Sequence, residues 1–155
     1  GAMIEIIHKQ SGVRSGRAGL NAFARRGAAE ALAHLDLLEA GLTLMFCSVE
    51  EIHRLNREFL GEDHPTDVLS FPTEEQPYLG DLAVCLPYVA RAAHAADRAL
   101  DRETALMIVH GLLHLVGHDH DTAPRKKAMW KEQDTILARC ASLALADNLD
   151  IRSME

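Results

Sequence analysis

The chain has 155 residues, with 16 lysines and arginines against 23 aspartates and glutamates, a formal charge of −7. Its length suits one ordinary domain, its 48% hydrophobic content is enough for a core, and no apolar run approaches the ~18 residues of a membrane span. The overall charge does not support nucleic-acid binding, which draws on Lys and Arg to meet phosphates; only local clusters could supply it, at Arg14, Arg17, Arg25 and Arg26, at Arg54 and Arg57, or at Arg125, Lys126 and Lys127.

Gly1-Ala2 ahead of Met3 reads as the scar of a removed expression tag, and no signal peptide is visible, so a soluble, cytoplasmic chain is expected. Ile4 and Ile6 alternate as in a first strand, and a turn-rich loop occupies residues 12–16. Leu20, Phe23, Ala24, Gly27, Ala31, Leu35 and Leu38 then keep helical spacing up to a stop at Gly41. Residues 42–47 form a short apolar strand. Ser48, with Glu51 three positions on, reads as a capping box opening a helix whose apolar face holds Ile52, Leu55 and Phe59.

A loop at 61–65 ends that helix, and strands are expected at 68–71 and 82–86, with residues 73–79 as the link. Helices at 87–96, 102–116 and 124–145 complete the pattern, and residues 147–155 are expected to fray. This order predicts an α+β fold: one domain over residues 3–146, with a small mixed sheet of about four strands packed against about five helices. Cys47, Cys85 and Cys140 are odd in number, far apart and set among apolar neighbours, which reads as buried, reduced thiols.

The chemistry concentrates in the run from His110 to His120. His110 and His114 are four residues apart, which stacks their side chains on one helix face. Gly117 falls where a helix needs a residue of positive φ to stop, so the chain can turn and bring His120 back toward the same point. Neutral imidazoles are good zinc ligands, and three of them with a fourth position left to water describe a catalytic rather than a closed structural site. The helix is apolar nearly all round, so its imidazoles need partners. The duller reading, histidines bonded to nearby carbonyls, remains for each ring taken singly.

In the helical zinc-protease motif a glutamate follows the first histidine as general base; here that position is Gly111. A peptidase relying on that glutamate is disfavoured, although a metal can acidify water without it. His118 is left out of the ligand set. His8, His34, His53, His64 and His94 show no mutual spacing and read as surface or packing residues.

The motif His110-Gly111-Leu112-Leu113-His114-Leu115-Val116-Gly117-His118-Asp119-His120 resembles the signature of the YbeY family, bacterial metal-dependent endoribonucleases of rRNA maturation and ribosome quality control. A second block agrees: Leu55-Asn56, then Thr66-Asp67-Val68-Leu69-Ser70-Phe71-Pro72, with Gly80-Asp81, Met129 and Glu132 as later landmarks. The likeness spans about residues 4–140. It implies single-strand-specific cleavage of RNA in 16S rRNA 3′-end maturation, one divalent ion (zinc) on His110, His114 and His120, and no organic cofactor. The ribosome or small-subunit assembly proteins are the implied partners.

The resemblance also implies that Thr66, Asp67 and Ser70 border the substrate groove, though all three suit local backbone bonding equally well. Asp119 reads either as a group that orients an imidazole or moves a proton, or as a cap on the turn. One departure stands out. Where the family commonly carries an arginine after the aromatic residue, Phe59 is followed by Leu60, so Arg57, one turn earlier, is the expected source of that cation. Two other functions remain open: an assembly factor with a structural metal and little cleavage, and a zinc hydrolase of peptide or ester bonds.

Overall fold

The computed structural model describes residues 1–154. Chain order is β1 (Met3–Lys9), β2 (Val13–Ser15), α1 (Arg17–His34), β3 (Gly41–Cys47), α2 (Val49–Leu60), β4 (Val68–Pro72), β5 (Tyr78–Val84), α3 (Leu86–Ala95), α4 (Leu100–Leu115), α5 (Ala123–Arg139) and β6 (Asp150–Ile151). Four strands form a mixed sheet in the order β1-β3-β5-β4, and β2 pairs with β6 in a separate ribbon. β1, β3 and β5 run parallel, while β4 lies antiparallel to β5 at the edge. The α+β class, the four-stranded sheet and the five helices expected from the sequence are all present.

Strand alternation divides the core. Leu42, Leu44 and Phe46 of β3 and Leu82 and Val84 of β5 enter the main core with residues of α1, α3, α4 and α5. Their neighbours Cys47, Ala83 and Cys85 turn to the opposite face and pack beneath Ile52 and Leu55 of α2. Burial pushes the Cys47 thiol up to about 12 and the Cys85 thiol to about 11, so both stay protonated at neutral pH, as expected of inert core cysteines.

Several boundaries differ from the sequence pattern, each for a local reason. α1 stops at His34 although apolar spacing continues to Leu38. Asp36 adopts φ 57, and the amides of Asp36 and Leu37 turn back to the carbonyls of Ala33 and Leu32. Leu35 and Leu37 still pack on the core from outside the helix. β5 begins at Tyr78, earlier than the expected Leu82. The Ser48 hydroxyl does accept the Glu51 amide at 3.0 Å, but the Glu51 side chain pairs with Arg54 and with Lys9 instead of closing the box.

α5 ends at Arg139, not near Leu145. Its cap is Cys140, whose amide turns back to the carbonyls of Ile136 and Leu137, and beyond it the Leu145 amide donates to Asp101 of α4 at 3.0 Å. The segment expected to fray after Asp147 instead carries β6, which pairs with β2, and the Arg152 amide meets the Gly12 carbonyl at 2.6 Å. Among the described residues no helix is long and apolar enough to cross a membrane.

Candidate metal centre and active site

The site grows from α4. Its residues Thr104, Ala105, Ile108, Val109, Gly111, Leu112, Leu113 and Leu115 are buried, so the helix is held on nearly every side. Gly111 packs directly against the sheet. A methyl there would stand 3.0 Å from both Leu82 Cδ2 and Val68 Cγ2 and 3.4 Å from Ser70 Oγ. The position of the protease glutamate is thus held by a glycine at which any added side chain would press on β4 and β5, and it offers no general base.

The helix closes as its glycine requires. Gly117 has φ 99, its amide donates to the His114 carbonyl at 3.1 Å, and the His118 amide reaches the Leu113 carbonyl at 3.0 Å. This reversal carries His120 back over the last turn. The Asp119 carboxylate accepts the His120 amide at 2.7 Å, a bond that holds this exposed carboxyl below its ordinary range.

His110, His114 and His120 consequently each offer a ring nitrogen within 4.8 Å of the others. Nε2 of His110 and Nε2 of His114 are 3.2 Å apart. Two nitrogens ~2.0–2.1 Å from one tetrahedral ion would be separated by ~3.3 Å, so this pair already has the spacing of shared ligands. Burial, then the neighbouring rings of His110 and His120, push His114 below the ordinary imidazole value and favour its neutral, metal-binding form. The donor set fits a divalent cation: three imidazoles, two half-buried on a rigid helix and one exposed on a turn.

A family model described as Endoribonuclease YbeY matches residues 6–141. The chain belongs to the YbeY endoribonuclease family. YbeY relatives include that of Halalkalibacterium halodurans, 42% identical over 110 residues that cover 62% of this chain and 69% of the relative. The Stenotrophomonas maltophilia YbeY is 41% identical over 133 residues, covering 79% and 82%, and that of Persephonella marina 31% identical over 144 residues, covering 88% and 92%. A Thermotoga maritima protein of known solution structure superposes with a TM-score of 0.65 at 29% identity, covering 89% of each chain.

The other residues singled out in the sequence lie at varied places relative to the histidine triad of this YbeY-family chain. Ser70, on β4, donates from Oγ to the Gly111 carbonyl at 2.8 Å and so ties the edge strand to the metal helix. The Thr66 hydroxyl donates to Asp67, whose carboxylate also accepts the Val68 amide at 2.7 Å. Arg57 lies on α2, half exposed, 4.0 Å from Asp63. Leu60 is exposed beside Phe59, whose ring meets Phe71 edge-on. Several of the other histidines have partners away from the triad: His8 bridges Ser11 and Asn21, His34 meets Glu132, His53 meets Asp63 and His64 meets Glu62.

Sequence reasoning missed two neighbours of the triad, both on α5. Trp130 stands edge-on to His110 and His120, with ring centres 5.9 and 5.8 Å away, and the Lys126 amine lies 5.4 Å from its centre. Gln133 Oε1 lies 3.0 Å from His110 Nδ1. A visible signal existed for Gln133: it interrupts the apolar stripe of Met129 and Ile136.

Proposed function

We propose that this chain is a single-strand-specific, metal-dependent endoribonuclease of 16S rRNA 3′-end maturation and ribosome quality control, working in the cytoplasm. In this reading His110, His114 and His120 hold one divalent ion, zinc. The observation that carries it is the convergence of three imidazoles at one helix end in a chain of an endoribonuclease family. A bound ion there supplies Lewis acidity for the scissile phosphate and a water acidified to a pKa of about 7.

The chain's own residues provide position and charge. His110 and His114 present their nitrogens from a helix buried on most sides, and His120 completes the set from the turn that Asp119 braces. With Gly111 pressed on the sheet, no carboxylate base follows the first histidine. Arg57 is proposed to meet an RNA phosphate in place of the cation absent at Leu60. Thr66, Asp67 and Ser70 are proposed to line the groove beside α4. Lys126, held against Trp130 next to two of the rings, supports RNA binding despite the overall negative charge.

The test is elemental analysis of the purified protein together with cleavage of a precursor of small-subunit rRNA, with and without chelator. His114→Ala is expected to lose ion and cleavage together while remaining folded. Full ribonuclease activity in that variant would overturn the assignment. The exposed Leu60 favours a second reading, an assembly factor that binds ribosomal particles; ribosomal association with no metal-dependent turnover would select it.

A further inference from the structure

Gln133 is an amide in an apolar place. α5 buries Met129, Gln133 and Ile136 along one stripe, and Gln133 is only 5% exposed. A buried amide without a partner costs about 1–3 kcal/mol, so its presence there calls for a bond. That bond is made to His110, Nδ1 to Oε1, at 3.0 Å. An amide oxygen can only accept, so a bond to Oε1 calls for the proton on Nδ1 and the lone pair on Nε2. It is this Nε2 that lies 3.2 Å from His114 Nε2.

We propose that Gln133 is the positioning residue of the site: it fixes the tautomer and the ring plane of His110, so that Nε2 faces the cation. The inference rests on the reading of the histidine triad as a metal site. Two aspects of the fold make the bond rigid. Met129, one turn before Gln133 on the same face, is fully buried, which anchors that stretch of α5 in the core. Trp130, three residues before Gln133, abuts both His110 and His120, so one helix constrains two of the three rings. A hydrogen-bond acceptor behind a metal-binding imidazole sets which nitrogen is free and raises its basicity; losing such a partner typically lowers metal affinity about 10–100-fold.

The experiment compares the full-length wild type with Gln133→Met, which keeps the length and loses the acceptor, and Gln133→Glu, which restores an acceptor. Zinc affinity is measured by competition with a chromogenic chelator, and the tautomer of His110 by nitrogen-15 NMR on metal-free protein. Circular dichroism checks the fold. The wild type is expected to show His110 protonated on Nδ1. Gln133→Met should bind zinc about 10–100-fold more weakly and mix the two tautomers, and Gln133→Glu should recover most of the affinity.

Wild-type affinity and an unmixed Nδ1–H tautomer in folded Gln133→Met would overturn the proposal while leaving the metal site intact. A metal-free wild type with His110 protonated on Nε2 would overturn it without any variant. Failure of the wild type to take up zinc or any other divalent ion would remove the metal reading, and this inference with it.

Discussion

Replacing Gly111 by alanine tests whether α4 is seated on the sheet as tightly as the geometry requires. In an open helix the change would stabilise, since alanine exceeds glycine by about 1 kcal/mol in helix propensity. Here the added methyl meets Leu82 and Val68, each at 3.0 Å, and Ser70 at 3.4 Å. Overpacking of a filled core costs about 1–3 kcal/mol, and two contacts from different strands place this case in the upper part of that range. The net expectation is a loss of about 1–2 kcal/mol. For a chain of this size that lowers Tm by roughly 2–8 °C. Thermal unfolding followed by circular dichroism, in chelator so that metal binding does not contribute, reads the change directly. A rise in Tm would mean that the propensity gain is unopposed, and the explanation for the missing glutamate would fall. Gly111→Glu, which carries a longer side chain into the same contacts, should lower Tm further than Gly111→Ala.

The remaining tests address the site and its approaches. Because His114 is held below its ordinary value of 6.5, the unfolded chain takes up this proton first as pH falls. Its effect on metal-free stability is nil well above pH 6.5 and becomes a loss as pH drops through that value toward the folded pKa. Denaturant titrations across that window should slope less steeply in His114→Ala than in the wild type. A methyl added at Gly117 would have no neighbouring atom within 4 Å, and φ there is 99, so Gly117→Ala should cost only backbone strain, about 1–2 kcal/mol. The same variant should weaken zinc uptake, measured by chelator competition, because His120 depends on that reversal. Asn56, 3% exposed, donates from Nδ2 to the His64 carbonyl at 2.9 Å; Asn56→Ala should lose about 1–3 kcal/mol in urea unfolding.

Much of this architecture is legible in the sequence, and the exceptions share a cause. Periodicity locates the strands and helices because each buries one face, and the spacing of His110, His114, Gly117 and His120 foretells a converging cluster because a helix and its stop signal have fixed geometry. What periodicity does not show is where a helix yields to another partner. Leu35 and Leu38 continue the α1 pattern, yet Asp36 in the left-handed region ends the helix. Leu143 and Leu145 continue that of α5, yet the helix is capped at Cys140 and the Leu145 amide beyond it goes to Asp101 of α4. The partner of Gln133 is hidden for the same reason: His110 is 23 residues away and lies on another helix.

The three imidazoles are mounted unequally. Two ride on the core-packed helix α4, whereas the third sits on residues 117–122, a short arc beyond its end. Ion release is therefore expected to answer more to changes in the arc than to equal weakening of the interior.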